Sequence, residues 1–289
     1  MIDHTFQSGF VSIVGRPNAG KSTLMNRLIG EKLSIVTPKP QTTRMNIKGI
    51  LNLTNAQLVF LDAPGFLEPR YELHERMLSY IKDSLKNSDV ILYLIDASVN
   101  EVADLPFPLP KKNVICVLNK SDLCEEAVLS DKILLSQETF PKVITISARN
   151  DTDFERLIQV ILELLPQMPP IYDSDDLSDM PMRFFAQEII REKIFLLYEQ
   201  EIPYSSTVVV EKWTEEAERD VIVANIWIER DSQKSIIIGR QGKMIGMVRQ
   251  QAELDIAKLT GKRAVLNLWV KVKQDWRKKR GSLREFGYL

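Results

Sequence analysis

The run Gly15-Arg16-Pro17-Asn18-Ala19-Gly20-Lys21-Ser22 has the spacing G-x-x-x-x-G-K-[ST], the pattern of a loop that wraps a phosphate chain. Its glycines allow a tight turn, so that backbone N–H groups surround the phosphates. Lys21 would set a positive charge at the β- and γ-phosphates, and Ser22 would offer a hydroxyl to Mg²⁺. Gly15, Asn18, Ala19, Gly20, Lys21, Ser22 and Thr23 are the candidate contacts. Three further motifs follow in the chain. LVFL (58–61) runs into Asp62-Ala63-Pro64-Gly65, where Asp62 can hold Mg²⁺ and the Gly65 N–H can meet a γ-phosphate. VICVL (114–118) runs into Asn119-Lys120-Ser121-Asp122, and VITI (143–146) into Ser147-Ala148-Arg149.

The Asn-Lys-x-Asp element selects the base. Guanine presents N1–H and an exocyclic amine on one edge, and the Asp122 carboxylate accepts from both. Adenine has an acceptor at N1 and would leave that carboxylate unpaired. Asn119 is expected to donate to N7 and brace the loop, the Lys120 stem to lie along the base, and the Ala148 N–H to reach the guanine oxygen. The reading is GTP, with GDP as product. A mobile loop should carry a threonine that completes the Mg²⁺ shell only when a γ-phosphate is present. Thr42 and Thr43 are the candidates between residues 33 and 51, and Thr43 is preferred. Lys21, Thr43 and Gly65 are then the catalytic set, and Ser22, Thr43 and Asp62 the metal set.

These groups need a frame that brings strand ends together. FVSIV (10–14) reads as a strand before the first motif, and 23–28 as a helix after it. Strands at 46–53 and 90–96, a helix over 71–86 and a last helix over 154–165 complete a doubly wound α/β sheet, which binds ligands at the carboxyl ends of its strands. The stretch 101–113 has three prolines where such a fold places a helix, so a short helix or irregular loop is expected there.

GRPNAGKSTLMNRLIG, PQTTR, DAPGF, NKSD and SAR together resemble the Era-type branch of the translation-factor-like GTPases. The resemblance implies an apolar residue after the Asp-x-x-Gly glycine, and here it is Phe66, which cannot orient water as a glutamine would. It also implies a role for Asn18 in holding K⁺ near the α- and γ-phosphates. The other reading of Asn18 is a loop residue at an unusual backbone angle.

Pro166 to Pro170 and the acidic YDSDDLSD mark a boundary, read as a solvated linker. The expected division is residues 1–168, a linker over 169–181, and a second domain over 182–289. A helix (182–199), a hairpin (206–213 and 221–229), a short apolar element, Gly239-Arg240-Gln241-Gly242, a long helix and a strand (264–272) resemble an α+β type II KH domain. Two glycines let backbone N–H groups approach single-stranded RNA, and such a loop clamps about four nucleotides. Gly239, Arg240, Gln241, Gly242 and Lys243 are the first RNA candidates, with Lys234 and Arg249 behind them. Ile237, Ile238 and Ile245 belong to a base groove or to the core. Trp276 either stacks on a base or anchors the tail, and the anchor is favoured.

Charge supports the division. The whole chain has 38 basic and 39 acidic residues, yet residues 234–289 carry a net +10 and residues 171–233 a net −9. The basic segment holds the Gly-x-x-Gly loop, which suits a polyanion. Cys116 and Cys124 are expected as reduced thiols, His4 and His74 as surface residues, and no zinc site, export signal or membrane span is expected. The family resemblance implies action in small (30S) ribosomal subunit assembly, RNA rather than DNA as partner, with binding near the 3′ end of 16S rRNA, and a cytoplasmic monomer with peripheral association at the inner membrane. The alternatives are a GTPase acting on a protein or membrane partner, with the KH-like fold as a docking module, and a binding module whose hydrolysis is vestigial. Der-type GTPases also carry a KH-like end but have two GTPase domains; this chain has one P-loop.

Overall fold

The computed structural model describes residues 6–99, 108–110, 113–150 and 153–289. His4 and most of the proline-bearing stretch 101–113 lie outside them. The chain forms two compact units: residues up to 34, 43–69 and 77–179 in the first, and 35–42, 70–76 and 180–289 in the second.

The first unit contains β1 (Gln7–Gly15), α1 (Lys21–Ile29), β2 (Ile47–Leu53), β3 (Ala56–Asp62), most of α2 (Glu72–Asn87), β4 (Val90–Asp96), β5 (Val114–Asn119), α3 (Glu126–Gln137), β6 (Lys142–Thr145) and α4 (Phe154–Leu162). Its sheet has the order β2-β3-β1-β4-β5-β6 and is parallel except at β2, which pairs antiparallel with β3. The continuous apolar runs in β1, β3, β4 and β5 fit this arrangement, because strands covered on both faces need no polar alternation. Met77, Ile81 and Leu85 of α2, four residues apart, form its buried stripe. β1 lies between β3 and β4, and the chain crosses it in passing from β3 through α2 to β4, so the carboxyl ends of these strands open a crevice where the order reverses.

The acidic stretch is not a free linker. The N–H groups of Ile171 and Tyr172 donate to Gln57 Oε1 at 2.7 and 2.9 Å, and the Ile50 N–H donates to the Leu177 carbonyl at 2.9 Å. Asp179 pairs with Lys48. An edge strand such as β2 leaves a row of backbone groups open, and this segment satisfies part of that row.

The second unit contains α5 (Met182–Leu197), α6 (Ile202–Ser205), β7 (Thr207–Glu215), β8 (Arg219–Ile228), α7 (Asp231–Ile238), α8 (Lys243–Thr260), β9 (Arg263–Val272) and α9 (Arg280–Glu285). β7 and β8 are antiparallel, and β9 lies parallel to β8 at the edge. Ile190, Ile194, Ile226, Ile237, Val248 and Ile256 pack between the helices and the sheet. His74, expected at the surface, is buried: its Nε2 lies 3.1 Å from Gln41 Oε1 and its ring packs on Tyr71. Polar partners at both ring nitrogens make that burial tolerable.

The basic C-terminal tail is folded. Trp276 is fully buried, its Nε1–H donates to the Ser205 carbonyl at 2.8 Å, and its ring contacts Phe286 and Tyr288. It is an anchor and has no face to offer a base. Trp276→Ala should therefore destabilise the second unit by about 3–5 kcal/mol. All four tryptophans fall between 213 and 276, so intrinsic fluorescence in urea reads this transition. An unchanged midpoint would contradict the anchor role.

Candidate functional site

Residues 15–22 form the expected loop between β1 and α1. Gly20 has φ 98° and is the N-cap of α1, and a Cβ there would collide with Asn119 Nδ2. Only glycine meets both conditions. Asn18 is exposed with φ 63°, the backbone angle that the loop reading requires. Lys21 is buried at the base of the loop, where Nζ donates to the Gly15 and Arg16 carbonyls at 3.1 and 2.9 Å. Burial pushes its ammonium down to about 8, against the opposing pull of Asp62.

Ser22, Thr43 and Asp62 come together at the mouth of the crevice. The Ser22 hydroxyl donates to Asp62 Oδ2 at 2.6 Å, and the Thr43 hydroxyl lies 3.0 Å from that of Ser22 and 3.5 Å from Asp62 Oδ2. Thr42 turns elsewhere: its hydroxyl donates to the Lys39 carbonyl at 2.7 Å. Burial pushes the Asp62 carboxyl above its ordinary range, opposed by the Ser22 hydrogen bond and the Lys21 charge. Asp62 Oδ1 is buried without a hydrogen-bond partner. A desolvated carboxylate with an orphaned oxygen beside two hydroxyls fits Mg²⁺, a hard cation that takes oxygen ligands. Gly65 lies against Pro17 so closely that a Cβ would meet its backbone N at 2.9 Å. Phe66 is buried with Val14, Ala63, Ile81 and Tyr93, so its ring serves the core.

The residues expected at the base are also brought together. The Ser147 hydroxyl donates to Asp122 Oδ1 at 2.6 Å and orients that carboxylate. Buried Asn119 donates through Nδ2 to the Ala19 carbonyl at 2.8 Å and ties the two loops together. The Ala148 N–H, the donor expected at the guanine oxygen, donates here to Asn119 Oδ1 at 2.9 Å. Arg149 is exposed, and its carbonyl accepts from Arg27 at 3.2 Å. Thr23 follows Ser22 in the first turn of α1.

Asp96 went unread in the sequence. It ends β4 as Asp62 ends β3, and it pairs with Lys120 at 2.5 Å. Burial works to raise its carboxyl, but hydrogen bonds from Lys120 and Ser98 outweigh that and hold it below the usual range. The same rule that found Asp62, a carboxylate at a strand's C-terminal end, would have found it.

In the second unit, Gly239 and Gly242 have φ 72° and 74° and bracket a single 3₁₀ turn between α7 and α8. Arg240, Gln241, Lys243, Lys234 and Arg249 are all exposed. Ile237 is core, whereas Ile245 lines a groove of about 220 Å³ with Gly246 and Arg249 on one wall and Leu266, Asn267 and Trp269 on the other. Trp269 was not singled out by sequence, although alternation along residues 263–272 places it opposite the buried Leu266 and Val270. Cys116 and Cys124 are free thiols, and burial pushes Cys116 up to about 12. Among the described residues, no helix is long and apolar enough to cross a membrane.

Comparison with known proteins agrees with this geometry. Residues 10–120 match the family described as 50S ribosome-binding GTPase, and residues 201–277 match the KH domain. The GTPase Era of Geotalea daltonii is 42% identical over 296 residues, covering 100% of both chains. The crystal structure of Aquifex aeolicus Era Y63A bound to GDP·AlF₄⁻ superposes with a TM-score of 0.91 at 36% identity, covering 98% of this chain and 99% of that one. A structure of Era in complex with MgGDPNP and nucleotides 1506–1542 of 16S ribosomal RNA gives the same TM-score, identity and coverage. With relatives at this identity along its whole length, and with a P-loop GTPase unit followed by a KH unit, the chain belongs to the Era family of GTPases.

Proposed function

We propose that this chain hydrolyses GTP and binds 16S rRNA near its 3′ end through its KH unit, in small ribosomal subunit assembly. The observation that carries the RNA half is the Gly239–Gly242 loop, with both glycines at positive φ, exposed Arg240 and Lys243, and a groove beside it. The relative solved with a 16S rRNA fragment supports the choice of RNA.

In the GTPase unit, Lys21 and the loop N–H groups hold the phosphates, and the Gly65 and Thr43 N–H groups meet the γ-phosphate. Mg²⁺, held by Ser22 and Thr43 with Asp62 behind them, supplies charge neutralisation at the β- and γ-oxygens. Asp122 reads the base edge, Asn119 braces the loops, and Lys120 lies beside the base with Asp96 fixing its ammonium. The remaining contacts are Gly15, Ala19, Gly20, Thr23, Ser147, Ala148 and Arg149. K⁺ beside Asn18 belongs to the same reading through the family resemblance. With Phe66 in the core, no side chain at that position orients the attacking water, so backbone groups do so and unassisted turnover is slow.

Within the second unit, the buried Arg191 guanidinium donates to the Thr42 carbonyl at 2.6 Å. Thr43, the next residue, stands at Ser22 and Asp62. This continuity supports a loop that couples the nucleotide state to the RNA-binding unit. In the KH unit, Gly239 to Lys243 hold the RNA backbone, with Lys234 and Arg249 as outer contacts. A monomeric cytoplasmic state with peripheral association at the inner membrane completes the reading, on family resemblance.

Crosslinking the full chain to total cellular RNA with GTP or GDP bound, followed by mapping, tests it. Sites should cluster near the 3′ end of 16S rRNA and depend on the nucleotide. Scattered sites with no nucleotide dependence would sink the coupling. An absence of RNA affinity in the GTP state would favour a protein or membrane partner instead.

A further inference from the structure

Asp96 is engaged on both oxygens. The Ser98 N–H and hydroxyl donate to Oδ1 at 3.0 and 2.6 Å, and the Lys120 ammonium pairs with Oδ2 at 2.5 Å. Ser98 therefore sets the direction in which the carboxylate faces Lys120. Ser98 lies in the turn that leaves β4, where it and Val99 are exposed. A turn at the surface is ordinarily free to move, and a carboxylate oriented from it is only as fixed as the turn.

Lys132 holds that turn. It lies on α3, outside the four sequence motifs, and its Nζ donates to the Ala97 carbonyl at 2.5 Å and to the Val99 carbonyl at 2.6 Å. The two carbonyls stand on either side of Ser98 in the chain. An ammonium on a backbone oxygen makes a charge-assisted hydrogen bond, roughly twice as strong as a neutral one. Beneath the turn, Ala97 is buried in a cluster with Cys116 and Leu118, against which Leu129 and Ile133 of α3 pack. The Ala97 N–H donates to the Asn119 carbonyl at 2.8 Å. One turn thus ties α3 to the loop that carries Asn119 and Lys120.

Lys120 depends on such support. Its backbone stands at φ 63°, a region that residues with a Cβ disfavour, and its long side chain loses rotamer freedom when it is ordered. The pair with Asp96 removes part of that freedom before a nucleotide arrives, so less is lost on binding.

We propose that Lys132 is a positioning residue for the guanine site: through the carbonyls of Ala97 and Val99 it fixes Ser98 and Asp96, and so holds the Lys120 side chain where it slows the release of guanine nucleotide. This rests on the reading that Lys120 lies beside the base. The phosphate loop and the set of Ser22, Thr43 and Asp62 are no part of this relay, so nucleotide binding changes and the hydrolytic step does not.

The test follows release of N-methylanthraniloyl-GDP from the full chain by rapid mixing with excess GDP, alongside steady-state GTP hydrolysis. Lys132→Met keeps the stem and removes the charge; it should speed release about tenfold and raise KM, with kcat at saturation unchanged. Lys132→Arg, which can donate to both carbonyls, should bring release back to within about twofold of wild type. A first-order release rate does not depend on how much of the protein is folded, so a merely structural role would lower the amplitude and kcat and leave the rate alone. In an Asp96→Ala background, Lys132→Met should change release by less than about twofold, because effects within one relay do not add. Release from Lys132→Met at the wild-type rate, failure of the Arg variant to rescue it, or an undiminished effect in the Asp96→Ala background overturns the role of Lys132. Wild type that releases labelled xanthosine diphosphate no faster than the labelled GDP overturns the guanine reading itself, and the relay's function with it.

Discussion

Asp122→Asn is expected to lower GTP affinity by about 10⁴-fold and to raise affinity for xanthosine triphosphate. In the proposed site the Asp122 carboxylate accepts from guanine N1–H and the exocyclic amine, and the Ser147 hydroxyl, 2.6 Å from Oδ1, fixes its orientation. The substitution replaces one acceptor with an NH₂ that faces guanine's donors, and buried donors without acceptors are expensive. Xanthine carries a carbonyl where guanine carries the amine, so the new amide has a partner there. The phosphate site is untouched, and hydrolysis of xanthosine triphosphate should run near the wild-type rate at saturation. Equilibrium binding of both nucleotides, followed by single-turnover hydrolysis, checks this. A loss of GTP affinity below tenfold would mean that Asp122 does not read the base.

Lys21→Ala is expected to reduce kcat for GTP by about 10²–10³-fold while leaving RNA affinity in place. In the proposed site the Lys21 ammonium is the side-chain cation set at the β- and γ-phosphates. It sits buried on the Gly15 and Arg16 carbonyls, where a nearby charge acts through little water. The Gly239–Gly242 loop lies in the other unit, with its own cations at Arg240 and Lys243. Rapid-mixing hydrolysis and RNA titration on the same preparation give both readouts. Loss of RNA binding in the variant would show that the two sites are not separable, and an unchanged kcat would remove Lys21 from the catalytic set.

Much of the candidate site was legible because its residues sit at strand ends, which short-range chemistry marks. Apolar β-branched runs declare β1, β3, β5 and β6, and the residues that follow them are placed by chain continuity alone. Asp62, Asn119 and Ser147 were therefore found without any long-range information, and Asp96 would have been. The Gly-x-x-Gly turn was legible for a similar reason, since two glycines close together before a helix allow the positive φ that the turn uses.

What the sequence determined by itself was the inventory and its order: a phosphate loop, a guanine-selecting element, a hairpin-and-helix unit with a basic end. Tertiary structure decided the partners. Thr42 and Thr43 are equivalent by type and neighbourhood, and only the fold sends one hydroxyl to Ser22 and the other to the Lys39 carbonyl. The Ala148 N–H meets the Asn119 side chain, 29 residues away in the chain, only because β5 and β6 lie side by side. The acidic stretch looked solvated because the open edge of β2 that it serves lies more than a hundred residues upstream. Trp269 and Trp276 are the sharpest pair: seven residues apart in one basic segment, one is open beside a groove and the other fully buried. Burial and hydrogen-bond pairing depend on what arrives from distant parts of the chain, and no local pattern contains that.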